Sequence, residues 1–250
     1  MKKAVRWIVG VSVLLFCTYG HAAVRGIHDN WDSLLQVHVK NGLVDYNGFK
    51  RQEKLLDEYL HQLAEVPTEQ LSGNEKLAFY INAYNAYTIK LILQNFRKGS
   101  PPRSIKDIGG FFSSPWSIRF AVVGGDTLTL DNIEHDIIRK EFDEPRVHFA
   151  VNCASLSCPP LLNRAYRGEL LDDQLQENTR RFLNDPHFTR LEGTTLFVSK
   201  IFKWFGEDFK DDIPGFVRTH AGEELQHGLQ AGGDRLIIKY LDYDWSLNSQ

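Results

Sequence analysis

The sequence predicts an α+β fold in a single domain, with a mixed or antiparallel sheet packed against helices and one long helix buried at its centre. The composition of the 250 residues, with 42% hydrophobic and 24% charged, is typical of a globular protein. Segments with helical and with strand periodicity are interspersed without strict β–α alternation. No repeat, low-complexity segment or long linker divides the chain, which indicates one domain over residues 24–250.

The first 23 residues have the pattern of a secretory signal peptide. Three cationic residues precede an apolar run from Trp7 to Cys17, and small residues then lead to a cleavage site after Ala22 or Ala23. The pattern predicts a periplasmic or secreted protein without a transmembrane segment in the mature chain. Lipid attachment at Cys17 is a less favoured alternative, because the bulky Phe16 stands where a lipoprotein signal has a small residue.

Charge and motif content exclude several classes of protein. The net charge is −3 and no block of basic residues is present, so we expect no nucleic-acid partner. The sequence has neither a glycine-rich phosphate loop nor a His-Glu-x-x-His motif, and no cofactor is predicted.

A metal-dependent hydrolase that uses His135, Asp136 and His148 is kept as a third hypothesis. The expected partner is a small-molecule or peptide-like ligand.

Helices are predicted where apolar residues recur at helical spacing between capping residues, glycine or proline. The domain begins near Asn30 and continues to a turn at 41–42 and a short strand at 43–46. Asp131 and Glu134 have the spacing of a capping box, which places a helix start at Asp131. The other predicted helices span residues 55–63, about 75–95 and 170–183.

Strands are predicted from short apolar runs between turn residues. The turn Gly124-Gly125-Asp126 is a hairpin signal. The strongly apolar run from Val147 to Asn152 predicts a buried strand. The predicted strands span residues 118–123, 127–130, 147–152, 188–191, 195–198 and 235–241.

The helix from Glu75 is apolar around much of its circumference, which predicts that it lies inside the domain. Asn82 and Asn85 are neighbours on this helix because they are three positions apart. Buried amides must be hydrogen-bonded, and two interpretations are open: a structural network, or the polar floor of a pocket. In either case we expect both asparagines to face His148 and Asn152.

The segment 146–160 is the most informative part of the sequence and contains two cysteines. Strand periodicity places His148 on the face opposite to Cys153, so His135 becomes the leading candidate for a base that serves the thiol. Thiol catalysis requires a thiolate, formed beside a cation, a helix N-terminus or a histidine base. The alternative is a disulfide between Cys153 and Cys158, which an oxidising compartment favours.

Three phrases, in this order along the chain, resemble the domain of unknown function 547 (DUF547) family. They are EKLAFYINAYNA at 75–86, HFAVNCASLSCP at 148–159 and YDWSLN at 243–248. Segments 131–139 and 202–205 are also similar to the family, so the resemblance covers nearly the whole of residues 24–250. The family is known chiefly from uncharacterised secreted bacterial proteins and from domains of larger plant proteins. The resemblance therefore implies a secreted bacterial member and supplies no reaction.

The leading functional hypothesis is an exported thiol-dependent hydrolase or acyl transferase that acts on an amide or peptide-like substrate. Cys153 would attack the substrate, with His135 or His148 as the base. Asn82 or Asn85 would orient that base or bind an oxyanion. The alternative is a non-catalytic periplasmic binding or assembly module in which the disulfide of Cys153 is structural.

Overall fold

Helices carry most of the regular structure and the strands form three small sheets, so the predicted α+β class is confirmed. The structure is a computed structural model that describes residues 26–110 and 113–250, and the predicted signal peptide lies outside them. The α-helices are α1 (Asp29–His38), α2 (Tyr46–Arg51), α3 (Glu53–Glu65), α4 (Gly73–Gln94), α5 (Arg139–Glu141), α6 (Leu171–Leu183), α7 (Ile201–Trp204), α8 (Ile213–His220) and α9 (Glu223–Gly232). The strands are β1 (Val39–Lys40), β2 (Leu43–Val44), β3 (Ala121–Val123), β4 (Asp126–Leu128), β5 (Thr189–Glu192), β6 (Thr195–Val198) and β7 (Ile237–Tyr240).

Two of the sheets are hairpins and the third is mixed. β1 pairs with β2 and β3 pairs with β4, both antiparallel. In the third sheet β6 lies between β5, which is antiparallel to it, and β7, which is parallel. Gly124 and Gly125 in the β3–β4 turn have φ of 60° and 86°, a region that other residues rarely adopt. The strands predicted at 118–123, 127–130, 188–191, 195–198 and 235–241 are confirmed. β6 has the predicted bounds, β5 is shifted by one residue, and β3, β4 and β7 are shorter than predicted.

The long helix α4 is buried along most of its length, as the sequence predicts. Sixteen of its 22 residues are buried. Ser72 and Glu75 form a capping box at its start, in which the Ser72 amide donates to the Glu75 carboxylate at 3.2 Å. None of the helices in residues 26–110 and 113–250 combines the length and apolar character needed to cross a membrane.

The hydrophobic side chains form two cores, and the segment after Pro145 connects them. The larger core surrounds α4 and includes Val147. The smaller core is rich in phenylalanine: the Phe149 ring packs on Phe182 and Phe202, with centroids 4.9 and 5.8 Å away. Val147 and Phe149, which are two positions apart, therefore anchor one segment in both cores and fix the position of the residues around it.

The buried strand predicted at 147–152 is wrong. The chain forms a 3₁₀-helix, Pro145–Phe149, followed by irregular backbone. Side-chain amides satisfy its carbonyl groups in place of a neighbouring strand: Asn178 donates to the carbonyl of residue 149, and Asn85 donates to that of Ala150 at 2.9 Å. The apolar run indicated burial correctly, but burial does not require a strand when side chains complete the backbone hydrogen bonds.

A helix begins close to Asp131, as predicted, but the capping residues predicted there are wrong. The Asp131 side chain accepts no capping hydrogen bond. The reciprocal pair is Thr129 and Asn132, in which each backbone amide donates to the other side chain, at 3.1 and 2.9 Å. The chain then forms a π-helix, Asn132–Ile138, before α5. Such wide turns are frequent at functional sites, and this one contains His135.

Candidate functional site

A cavity of about 210 Å³, which we call the cleft, brings together parts of the chain that are far apart in sequence. Its walls come from α4, the π-helix, the segment 148–159, α7 and the C-terminal residues. The cleft contains three of the five site residues predicted from the sequence, namely His135, His148 and Cys153. Aromatic, acidic and imidazole side chains together form most of the wall: Tyr84, Trp116, Trp204, Phe205, Tyr243, Trp245, Asp131, Glu134, His135 and His148.

His148 is 3% exposed and is held by a carboxylate. Its Nε2 lies 2.6 Å from Asp208 Oδ2, and Arg139 donates to the same carboxylate at 2.6 and 3.0 Å. Burial alone would raise the pKa of Asp208, but the hydrogen bonds from His148 and Arg139 outweigh it and hold this pKa well below its usual range. Phe205 stacks on the imidazole with the ring centroids 4.1 Å apart. The imidazole is therefore held at one edge by Asp208 and over one face by Phe205.

The ionised carboxylate of Asp208 determines which nitrogen of His148 carries the proton. A carboxylate only accepts hydrogen bonds, so Nε2 is the donor. In the neutral ring the lone pair then lies on Nδ1, and Nδ1 has no hydrogen-bond partner among the described residues. A histidine in this state can accept a proton from a molecule bound in the cleft.

His135 has the opposite arrangement of donor and acceptor. Arg139 Nη1 lies 3.2 Å from His135 Nδ1, and a guanidinium only donates, so Nδ1 accepts and the neutral ring carries its proton on Nε2. Nε2 is 3.9 Å from the carboxylate of Asp131. Burial raises the pKa of Asp131, Asp136 raises it further, and His135 opposes them. The cleft thus combines a proton acceptor on His148 with a proton donor on His135.

A tyrosine and a glutamate form the polar part of the cleft on the α4 side. Burial raises the pKa of Tyr84 well above its usual value, and the carboxylate of Glu134, which accepts a hydrogen bond from the hydroxyl, raises it further. Tyr84 is therefore a neutral donor and Glu134 an acceptor. Among the described residues that line the cleft, none is a lysine or an arginine.

Cys153 and Cys158 form a disulfide in the wall of the cleft, with an S–S distance of 2.09 Å. The pairing that the sequence left as an alternative is therefore present, and Cys153 carries no free thiol in this state. The expectation that His148 and Cys153 lie on opposite sides is wrong, because both line the same cleft. That expectation depended on a strand that does not form.

Asn82 and Asn85 are buried on α4 and lie outside the cleft. Asn82 donates to the carbonyl of Tyr166 at 2.8 Å and accepts from its amide at 2.9 Å. Asn85 accepts from the Asn152 amide at 2.8 Å, so this pair meets as expected. The shared cluster expected for both asparagines with His148 does not form, because within residues 26–110 and 113–250 the hydrogen-bond partner of His148 is Asp208. Of the two interpretations, this geometry favours the structural network.

Asp208 and much of the aromatic wall were not predicted from the sequence. The aromatic run around Trp204 contains Asp208, but such a run is more often core than cleft, and Phe202 and Phe209 in it are core residues. A single carboxylate within that run was the available signal. Tyr243 and Trp245 stand in the third phrase that resembles the family, and that phrase gives no reason to place them near residue 148.

The metal-dependent hypothesis gains no ligand set from the geometry. In the described parts of the chain, no group of three or more His, Cys, Asp or Glu side chains is placed to hold a metal ion. Asp136 instead accepts from Lys140 at 2.6 Å and from Asn132 at 2.8 Å.

Comparison with known proteins adds a match to one family model and no activity. Searches among curated proteins and among solved structures found no match. Residues 68–183 match the model of a family described as "Protein of unknown function, DUF547". The matched residues include His135, His148 and both cysteines of the disulfide, whereas Asp208 and the C-terminal aromatic residues lie beyond them. The match covers less than half of the chain, and it supports the resemblance to the DUF547 family that the sequence phrases indicate.

Proposed function

We propose that the protein is a hydrolase of amide or ester bonds in which His148, oriented by Asp208, activates water. The observation that carries the proposal is the pairing of His148, which lines a cleft rich in aromatic residues, with the carboxylate of Asp208. A histidine that donates to a carboxylate through one nitrogen can act as a base through the other. If the signal peptide is cleaved as predicted, this activity acts outside the cytoplasm.

In this reaction His148 Nδ1 removes a proton from water while the water oxygen attacks the carbonyl carbon of the substrate. The carbonyl oxygen becomes negatively charged, and His135, which carries a proton on Nε2, is a donor for it in the same cleft. Asp208 stabilises the protonated His148. The imidazolium then gives its proton to the leaving amine or alcohol as the bond to the carbonyl carbon breaks.

The walls of the cleft favour a neutral or cationic substrate with a flat apolar group. Trp204, Tyr243 and Trp245 pack together with ring centroids 4.5 to 5.7 Å apart, and Trp204 is 45% exposed, so an aromatic surface is open to a ligand. The carboxylates of Asp131 and Glu134 disfavour an anionic substrate. An amide or peptide-like molecule with an apolar side chain meets both conditions.

Cys153 does not attack in this reaction, because its sulfur is bonded to Cys158. The thiol-dependent hydrolase or acyl transferase predicted from the sequence is therefore a proposal for the reduced protein. The disulfide favours the second candidate function, a binding or assembly module whose aromatic cleft holds a peptide-like ligand without turnover.

The test is hydrolysis of a panel of chromogenic esters and peptide anilides by the native, disulfide-bonded protein. We expect turnover that survives iodoacetamide and falls about 10²- to 10⁴-fold in His148→Gln. The matched control is His187→Gln, because His187 also pairs with an aspartate, Asp185 at 2.8 Å, but lies on the surface.

Each alternative outcome identifies a different function. Turnover that requires a reductant and is blocked by iodoacetamide would favour the thiol-dependent enzyme. Saturable binding of panel members without turnover would favour the module. Equal turnover in His148→Gln and in the native protein would exclude His148 as the base.

A further inference from the structure

The disulfide lies where a bound molecule can reach it. Cys153 and Cys158 both line the cleft. Cys153 is partly exposed, whereas Cys158 is only 5% exposed. An incoming thiolate would therefore meet the Cys153 sulfur first, and the Cys158 sulfur would be the leaving group. Access and the identity of the leaving group control the rate of thiol–disulfide exchange.

Hydrogen-bond donors surround both sulfur atoms. The Cys153 amide donates to Cys158 Sγ at 2.9 Å, and the Tyr243 hydroxyl lies 3.3 Å from each sulfur. The Ser155 hydroxyl lies 3.4 Å from Cys153 Sγ. Burial raises the pKa of Tyr243, so its hydroxyl keeps its proton. Donors at these distances stabilise a thiolate far more than a neutral disulfide, and therefore favour release of Cys158.

The loop between the two cysteines does not depend on the disulfide for its position. Its backbone is hydrogen-bonded to the C-terminal segment, with the amides of Leu156 and Ser157 donating to Ser246 and Asp244 at 2.8 and 3.2 Å. The carbonyl of Ala154 accepts from the C-terminal segment at 3.3 Å. None of these hydrogen bonds involves a sulfur atom, so we expect them to persist when the disulfide is reduced. Because these contacts hold the loop in place, the disulfide is not required for its position. The two sulfur atoms can therefore take part in a reaction.

We propose that the Cys153–Cys158 disulfide is a redox-active centre that oxidises dithiols of peptides or proteins by thiol–disulfide exchange. A substrate thiolate attacks Cys153 Sγ, the bond between the two sulfurs breaks, and Cys158 leaves as a thiolate held by the Cys153 amide and by Tyr243. The second substrate thiolate then attacks the substrate sulfur of this mixed disulfide, and Cys153 leaves. Two electrons pass from the dithiol to the cysteine pair, and the two thiol protons pass to the pair or to solvent. This activity does not require His148.

The first experiment measures the rate at which dithiothreitol reduces the native protein without denaturant, with free thiols counted by mass after alkylation. We expect reduction of the folded protein and retention of its near-ultraviolet circular dichroism. In Tyr243→Phe the rate of disulfide reduction should fall about tenfold. In the reduced form of this variant, the pKa of the Cys158 thiol should rise. Tyr240→Phe is the matched control, because it removes a hydroxyl from a tyrosine that is 40% exposed and whose hydroxyl has no described hydrogen-bond partner.

The second experiment tests which sulfur is attacked, with glutathione disulfide as the probe. Cys158→Ser, which keeps the accessible Cys153, should form a mixed disulfide at least about tenfold faster than Cys153→Ser. The proposal is overturned if reduction of the native protein requires denaturant, if it unfolds the protein, or if folded Tyr243→Phe reacts as fast as Tyr240→Phe. It is also overturned if the two cysteine variants react equally, since exchange would then not be directed to Cys153.

Discussion

Two histidines of this protein, His28 and His148, are almost equally buried, at 5% and 3% exposure, yet only His148 lines the cleft. His28 Nδ1 lies 2.8 Å from the hydroxyl of Tyr59. Burial and, to a lesser extent, the nearby Arg167 together lower the pKa of His28 to about 3, although Asp29 opposes them. His28 is therefore a neutral core residue at neutral pH.

His148 differs in the charge of its partner rather than in its burial. The Asp208 carboxylate can stabilise an imidazolium that forms during a reaction, which the hydroxyl beside His28 cannot do. The comparison teaches that low exposure does not identify a functional histidine. A carboxylate partner on one nitrogen, with the other nitrogen unpaired beside a cavity, is the more informative feature.

The largest effect is expected from removing the carboxylate that distinguishes the two histidines. Asp208→Asn should lower the proposed hydrolase activity about 10²- to 10⁴-fold, because an amide that donates to Nε2 forces the proton onto Nδ1. The measurement is the rate against pH on the best substrate of the panel, with folding checked by circular dichroism. Asp185→Asn, which alters the exposed pair with His187, is the control. An unchanged pH profile in folded Asp208→Asn would remove Asp208 from the mechanism.

The second prediction concerns the stability that His28 makes dependent on pH. The unfolded chain protonates His28 near pH 6.5, whereas the folded protein resists protonation until about pH 3, so stability is lost as the pH falls through this window. Between pH 7 and 4.5 the loss should be roughly 2 to 3 kcal/mol. Urea unfolding at three pH values measures it, and the difference between the native protein and His28→Gln separates it from the contributions of other groups, such as His220, whose pKa burial also lowers. His28→Gln should flatten the curve, and an equally steep curve in this variant would contradict the assignment.

The third prediction separates buried polar residues that stabilise the fold from those that serve the cleft. Asn82→Leu leaves the buried amide and carbonyl of Tyr166 without partners, which should cost about 1 to 3 kcal/mol of unfolding free energy. The control is Asn47→Leu, at an exposed position of α2. Turnover per folded molecule should be the same in both variants. Loss of turnover in stable Asn82→Leu would instead return this asparagine to the site.

Apolar periodicity predicted the helices and strands in which apolar side chains recur on one face or around the whole circumference. α3, α4, α6 and the β3–β4 hairpin follow from their sequences because spacing, caps and turn glycines agree. The segment 147–152 could not be predicted in the same way, because a short apolar run reports burial but not backbone conformation. Its 3₁₀-helix depends on hydrogen bonds from Asn85 and Asn178, which stand on other helices.

Several residues of the candidate site could be predicted from the sequence, but their arrangement in space could not. The sequence named Cys153, His135 and His148, and all three line the cleft. Asp208 stands 60 positions after His148, and no local pattern links them. Asn82 and Asn85 were unusual polar residues on an apolar helix, but the sequence could not distinguish bonding to backbone from bonding to a ligand.

The smallest effect is expected at the start of the helix that carries His135 into the cleft. Thr129→Ala removes one half of the reciprocal pair with Asn132 and should cost about 1 kcal/mol of unfolding free energy. Asp131→Ala, at the capping position that the sequence predicts, should cost less, because the Asp131 side chain caps nothing and burial already disfavours its charge. Urea midpoints at pH 7 compare the two variants, with Thr127→Ala at an exposed position of β4 as the control. A larger cost for Asp131→Ala would restore the capping box predicted from the sequence. It would also place the start of this helix, and with it the support of His135, two residues later than the hydrogen bonds indicate.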